Sequence, residues 1–194
     1  GVSAALSAGD VPTLGGNTRF ALVELPMLEV PHYAEDVLFE LAATGYVPVL
    51  AHPERNHGLS QRFDVMLRMI KRGALMQLEA GSVVGAYGPI AQQCAIDMID
   101  RRMCHFIASD AHRPGAYDAL IPRAFEAVAA RIGQEAADAL FDANPASALA
   151  GKRPAIHDPI SEEEWQELRR RTAKTGRFNI LPAQKWWGKQ GSNL

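Results

Sequence analysis

The sequence is short of several things, and each shortage closes a class of function. Its 194 residues include two cysteines, Cys94 and Cys104. Both sit in apolar or helical contexts without the spacing of a thiolate metal site, so they read as reduced core thiols of a cytosolic protein. Charge of either sign is hardly in excess: 20 Lys and Arg face 22 Asp and Glu, for a net −2. That balance offers no electrostatic grip on nucleic acid or on an anionic membrane. No apolar run approaches the roughly 20 residues that cross a bilayer, and no signal-peptide pattern is visible. A Gly-rich phosphate loop is missing. Neither cysteine has the loop-before-helix setting of a cysteine-dependent phosphatase, and Ser109 lacks a G-x-S-x-G elbow. No internal repeat of fixed period is present.

What is there is the balance of a globular chain, 47% hydrophobic and 22% charged, long enough to bury the core of one domain. Its apolar runs alternate in kind. Arg19 to Glu24, stopped by Pro26, reads as a buried strand ending in an acid. Val47 to Ala51, Ala74 to Leu78 and Cys104 to Ala108 read as further strands. Between them three stretches repeat at helical spacing: Ala34, Val37, Leu38, Leu41 and Ala42; Phe63, Met66, Leu67 and Ile70; Ala91, Ala95, Met98 and Ile99. Two more helices follow, with Ile121, Ala124, Phe125, Val128 and Ile132 on one stripe. Gly133 separates them and Asn144-Pro145 ends the second. Turns at Gly9-Asp10 and Gly15-Gly16-Asn17 mark a loop-rich opening. The alternation predicts a parallel α/β layer or a piece of an α/β barrel. From Lys152 the character changes. Ser161 to Glu164 is a capping box that predicts a charged helix to about Ala173. Trp186-Trp187 then stand in an irregular tail that packs on the domain or on a neighbouring subunit of a homo-oligomer. Residues 1–151 read as the domain and 152–194 as an extension.

The candidate chemistry lies at strand ends, where open α/β sheets and barrels place their ligands. Glu24 closes the first strand, and a carboxylate there needs a cation, a hydrogen-bond partner or water. His52 and Arg55 follow the second strand, which Pro53 terminates because it lacks an amide hydrogen and disfavours helix for His52. Asp110 and His112 follow the fourth; two residues apart on an extended chain, they face one cation together. Carboxylate plus imidazole is a ligand set of zinc, manganese or iron. A metal there would lower the pKa of its bound water toward roughly 7, and Arg55 would hold phosphoryl oxygens bidentately. The pairing points to phosphoester rather than peptide hydrolysis. The bland alternatives are a solvated turn at His52 and Arg55 and a Glu24 that merely reaches solvent. Of the other histidines, His32 and His57 read as exposed loop residues, His105 as a satisfied core or edge residue, and His157 as solvated.

Five motifs in order carry a resemblance: Leu22-Val23-Glu24-Leu25-Pro26; Ala51-His52-Pro53-Glu54-Arg55; Ala80-Gly81-Ser82 with Gly85-Ala86-Tyr87-Gly88; Ser109-Asp110-Ala111-His112; and Asn144-Pro145. Over about residues 1–151 they resemble the PHP (polymerase and histidinol phosphatase) superfamily, in its capsular and exopolysaccharide tyrosine-phosphatase branch. The resemblance implies a distorted (β/α)7 barrel, of which this chain is the carboxyl-terminal two-thirds. It also implies a metal cluster, usually manganese but open to another divalent metal such as iron or zinc. By position Glu24, His52, Asp110 and His112 are its metal ligands here, and Arg55, His52 and Asp110 the catalytic residues. The family's His-x-His pair and further Asp, His and Glu ligands fall before the position of Gly1, so the visible set is partial. Arg55 is the phosphate-binding arginine. A second one, usual several residues after Asp-x-His, is replaced by Gly115-Ala116-Tyr117, with Arg113 the nearest candidate. The implied substrate is a phosphotyrosine protein, an autokinase that controls polysaccharide polymerisation and export, in the cytoplasm. A phosphoesterase for a small metabolite phosphate and a non-catalytic binding module are the alternatives.

Overall fold

The computed structural model describes residues 2–16, 18–115 and 118–175. The four apolar runs are its four strands, β1 (Phe20–Val23), β2 (Val47–Ala51), β3 (Leu75–Glu79) and β4 (Phe106–Ala108). They lie side by side in chain order, all parallel, with Phe20 opposite Val47, Val49 opposite Leu75 and Gln77 opposite Phe106. Parallel neighbours need a crossover long enough to return the chain. Helices α2 (Ala34–Ala43), α3 (Phe63–Lys71) and α5 (Pro89–Asp100) lie in those returns, as the helical spacing predicted. Ahead of them stands α1 (Val2–Ala8), and a single turn, α4 (Ala80–Val83), follows β3.

Successive side chains of a strand face opposite sides, and here both sides are filled. Leu50, Met76, Leu78 and Ile107 join Met66, Met69, Met98 and Ile99 in the main core under the helices. Phe20, Val49, Leu75 and Phe106 form a second cluster, closed by Ala148 and Leu14. α6 (Leu120–Ile132) contributes the expected stripe, with Ala124, Val128 and Ile132 buried. Cys94 and Cys104 are buried free thiols.

Four expectations are corrected. The opening is not all loop: α1 stands because Leu6 docks against Ala21 and Leu41, and packing rather than propensity holds so short a helix. β1 is only half buried, with Leu22 46% exposed, since among the described strands it is an edge. Asn144-Pro145 starts a helix instead of ending one. After α7 (Gln134–Asp138) and a π-type turn at Ala139–Ala143, Pro145 sits in the first turn of α8 (Asn144–Leu149). A missing amide hydrogen costs nothing in that turn, and buried Asn144 donates from Nδ2 to the His105 carbonyl at 3.0 Å. His157 is half-buried, not solvated, and lines a small cavity with His105, Arg102 and Asn144.

The capping box forms as predicted: Glu164 N donates to Ser161 Oγ at 3.2 Å and Ser161 N to Glu164 Oε2 at 3.0 Å. It opens α9 (Glu162–Thr175). Buried Arg101 pins that helix to the domain. Its guanidinium lies 4.1 Å from the Phe63 ring and 4.6 Å from the Trp165 ring, and donates to Glu162 at 2.7 Å. Trp186 and Trp187 lie outside the described residues.

His105 bears out the core reading. It is 2% exposed, and its Nδ1 accepts the Met76 amide at 3.0 Å. Burial pushes its imidazole pKa down to about 4 from an ordinary 6.5. Between those values the unfolded chain takes up a proton that the folded chain refuses. The His105 contribution to folding stability is therefore whole above pH 6.5 and falls as the pH drops toward 4, by roughly 1.4 kcal/mol per pH unit. Buried Glu54, raised to about 7, contributes the opposite slope between 4.5 and 7. Urea denaturation at stepped pH should show that decline in the difference between the parent and a His105→Asn variant, the parent losing stability relative to the variant as the pH falls from 6.5 toward 4.

Candidate functional site

Because the strands are parallel, their carboxyl ends share one edge of the sheet. Glu24 follows β1, His52 follows β2, Glu79 is the last residue of β3, and Asp110 stands two residues past β4. The backbone bends sharply at two of these ends. His52 has φ 35° and ψ 51°, and Asp110 has φ 50°. This left-handed region costs a non-glycine residue about 1 kcal/mol or more, and it persists only where the surroundings enforce it. At His52 they do. Pro53 denies it the helical region, its amide donates to the Gln77 carbonyl at 2.8 Å, and its carbonyl accepts the Arg55 amide at 3.0 Å. A 3-10 turn, Pro53–Arg55, follows at once.

The bend aims the imidazole along the sheet edge. His52 Nε2 lies 3.5 Å from Glu24 Oε1 and 3.8 Å from Asp110 Oδ2. The imidazole is buried, whereas the Glu24 side chain is 64% and that of Asp110 23% exposed. Three of the expected ligands, from three strand ends, are thus brought together. The fourth is not. The segment at Asp110 is left-handed rather than extended, so the two-apart argument fails there. His112 is exposed, and its Nδ1 pairs with the Asp110 carbonyl at 2.7 Å. Arg113 is exposed as well, and no hydrogen bond or ion pair among the described residues holds it. Of Gly115-Ala116-Tyr117, residues 116–117 lie outside the described residues.

An imidazole nitrogen and two carboxylate oxygens are donors a divalent first-row metal accepts, so their chemistry fits part of a metal's ligand set. Among the described residues, no group of three or more His, Cys, Asp or Glu is arranged so that it could hold a metal ion.

Arg55 turns out to be held by residues that the sequence reading passed over. Its Nη1 donates to Glu79 Oε2 at 2.6 Å, and its guanidinium carbon lies 4.1 Å above the Tyr87 ring. The Tyr87 hydroxyl donates to the other Glu79 oxygen. Glu79 is 2% exposed, and its amide donates to Glu54 Oε1 at 2.9 Å. Glu54 is itself buried, and burial pushes its carboxyl up to about 7 against the opposing bond from the Glu79 amide. The signal for Glu79 was present in the sequence, since it closes an apolar strand just as Glu24 does. Beside this group opens a cavity of about 530 Å³ lined by Met27, Glu54, Arg55, His57, Tyr87 and Ile90. A cavity of about 280 Å³ at the opposite strand ends, lined by Arg19, Tyr46 and Ile156, contains none of the candidate residues.

Parallel strands with acid, imidazole and guanidinium gathered at their carboxyl ends define a class: an α/β protein with its polar and charged groups collected at one sheet edge. The chain belongs to the capsular polysaccharide synthesis family CpsB/CapC, whose model matches residues 1–150. It is 42% identical to Staphylococcus aureus CapC over 95 residues, 49% of this chain and 37% of that protein. It is 35% identical to the tyrosine-protein phosphatase YwqE of Bacillus subtilis over 96 residues, 50% of this chain and 38% of YwqE. With the tyrosine-protein phosphatase CpsB of Streptococcus agalactiae it shares 26% identity over 149 residues, 74% of this chain and 61% of CpsB. Among solved structures it superposes, with a TM-score of 0.76 at 28% identity, on a chain from the crystal structures of B. subtilis YwqE and Streptococcus pneumoniae CpsB. These are described as unique metal-dependent tyrosine phosphatases, and the match covers 82% of this chain and 64% of that one. The matched segments span 37% to 61% of the lengths of these three relatives.

The Arg55–Glu79 pair predicts a stability effect. Removing the cation alone leaves a buried carboxylate uncompensated, which costs about 3 kcal/mol, whereas removing both charges costs much less. Chemical denaturation should find Arg55→Leu destabilised by that order and the Arg55→Leu/Glu79→Gln double variant largely recovered. Equal losses in the two would contradict the pairing.

Proposed function

We propose that the protein is a metal-dependent protein-tyrosine phosphatase acting, in the cytoplasm, on an autokinase of capsule or exopolysaccharide synthesis. One observation carries this reading: in a chain of the CpsB/CapC family, His52 Nε2 meets the Glu24 and Asp110 carboxylates three residues before a guanidinium that borders an open cavity. Glu24, His52 and Asp110 would hold a divalent metal, manganese in this proposal, and His112 would join through Nε2 only by leaving its exposed position on the Asp110 carbonyl. A divalent metal held by these residues would supply a hydroxide near neutral pH and Lewis-acid polarisation of a phosphoryl oxygen.

The remaining work falls to the chain itself. His52 binds through Nε2 only as the neutral imidazole, and its buried ring is held in place by the bent backbone. The two carboxylates offset cationic charge at that nitrogen, while the exposure of Glu24 leaves the site open to a macromolecular substrate. Arg55 grips phosphoryl oxygens and offsets charge that grows on them during transfer. The cavity beside Arg55 admits the aromatic ring that carries the phosphoryl group, with Met27 and Ile90 as apolar walls.

The test is turnover of a phosphotyrosine peptide by the protein with manganese. Chelation should abolish it, and His52→Ala or Asp110→Ala should each lower it by about 100-fold or more, as the loss of a metal ligand does. Turnover intact in either variant would contradict the assignment. Turnover confined to small phosphate esters would make the protein a metabolite phosphoesterase instead, and saturating metal binding without any turnover would make it a binding module.

A further inference from the structure

Arg55 is held on two sides and open on a third. Nη1 is engaged by Glu79 at 2.6 Å, and one face of the guanidinium is covered by the Tyr87 ring at 4.1 Å. The edge formed by Nε and Nη2 carries no hydrogen bond to a described residue, and the side chain, 26% exposed, borders the 530 Å³ cavity. A guanidinium presents two parallel N–H bonds along that edge, the fork that matches two oxygens of a phosphoryl group. Its flexible arm would otherwise sample many orientations, and ordering it during binding costs affinity.

We infer that Glu79 and Tyr87 are positioning residues for Arg55, fixing its guanidinium so that the Nε–Nη2 edge meets phosphoryl oxygens in the cavity. The inference rests on the phosphatase reading for its substrate but not for its geometry. Glu79 is fixed in turn. It closes β3, its amide is anchored on buried Glu54, and its second oxygen accepts the Tyr87 hydroxyl. Tyr87 can lie there only because residue 81 has no side chain: a Cβ on Gly81 would stand 2.4 Å from Tyr87 Cε2 and 2.9 Å from Cζ. The Ala80-Gly81-Ser82 and Gly85-Ala86-Tyr87-Gly88 motifs thereby acquire one shared role. The first leaves the space, and the second supplies the ring that fills it. Because Glu79 offsets part of the charge of Arg55, the grip on an incoming anion leans on the direction of two hydrogen bonds as well as on charge. Misplacing the ring is therefore enough to weaken it.

The experiment uses the whole chain with manganese, measuring kcat and KM for a phosphotyrosine peptide and the affinity for inorganic phosphate by calorimetry. Tyr87→Leu and Gly81→Ala displace the ring by independent means. Each should raise KM and weaken phosphate binding about tenfold, with kcat falling less than about threefold, the size expected for losing a cation–π support and the order it imposes. Tyr87→Phe keeps the ring and should stay within about threefold of the parent. Thermal melts confirm that each variant is folded, and Gly81→Ala supplies the answer should Tyr87→Leu not fold. Arg55→Lys, which keeps the charge and loses the fork, serves as reference. If it weakens phosphate binding while Tyr87→Leu and Gly81→Ala do not, the positioning role is wrong and the phosphatase reading stands. If the parent turns over no phosphotyrosine yet binds inorganic phosphate with the stated Tyr87 dependence, the phosphatase reading is wrong and the positioning role stands. A loss of phosphate binding in Tyr87→Phe as large as in Tyr87→Leu would overturn the ring's part in holding Arg55.

Discussion

Parallel pairing of four strands in chain order is the constraint from which the rest of this structure follows. It forces every strand to end on the same edge, so residues far apart in the sequence meet there without any dedicated scaffold. Glu24, His52, Glu79 and Asp110 span nearly ninety positions of the chain, yet each stands at or within two residues of a strand terminus. The hydrophobic core fixes this arrangement from beneath. Phe20, Val49, Leu75 and Phe106 are packed together on one face of the sheet, and Leu50, Met76 and Ile107 on the other. A one-residue slip in any strand would exchange those faces and carry the end group out of place.

Two devices then turn a row of strand ends into a site. Left-handed backbone at His52 and Asp110 bends the chain out of the strand direction, so that an imidazole and a carboxylate face each other across the edge. Strain of that kind is tolerated where the surroundings over-determine it, and here a proline and two backbone hydrogen bonds flank His52. The second device is charge pairing in a dry place. Glu79 and Glu54 lie almost wholly inside the protein; one is met by Arg55 and the other is pushed toward its neutral form by burial. An unpaired carboxylate in either position would cost several kcal/mol. The same logic holds the carboxyl-terminal helix, where Arg101 satisfies Glu162 while its planar guanidinium sits against Phe63 and Trp165.

Much of this was legible in the residues. Apolar runs and helical spacing located all four strands and the helices that return the chain between them, because periodicity reports burial directly. Glu24, His52 and Asp110 stood out because polar groups that interrupt apolar strands need a reason. What escaped has physical causes. α1 is too short to declare itself by spacing and depends on the docking of Leu6. The reading of Asp110 and His112 as one extended pair assumed strand geometry where the backbone is left-handed, and nothing local in Ser109-Asp110-Ala111-His112 announces that. Asn144-Pro145 is ambiguous by nature, since proline ends one helix and begins another with equal ease. The grip of Glu79 and Tyr87 on Arg55 joins residues 24 and 32 positions apart, a contact that only the folded sheet creates. Its one early sign was an acid closing a third apolar strand.

The central claim is that Glu24, His52 and Asp110 converge on one cation beside Arg55. The most direct measurement is an anomalous difference map at the manganese edge from crystals of the protein grown with manganese. The account predicts a peak at coordinating distance from His52 Nε2, Glu24 and Asp110 that disappears in the His52→Ala variant. A map whose manganese lies elsewhere, or which shows none at this cluster under saturating metal, would contradict it.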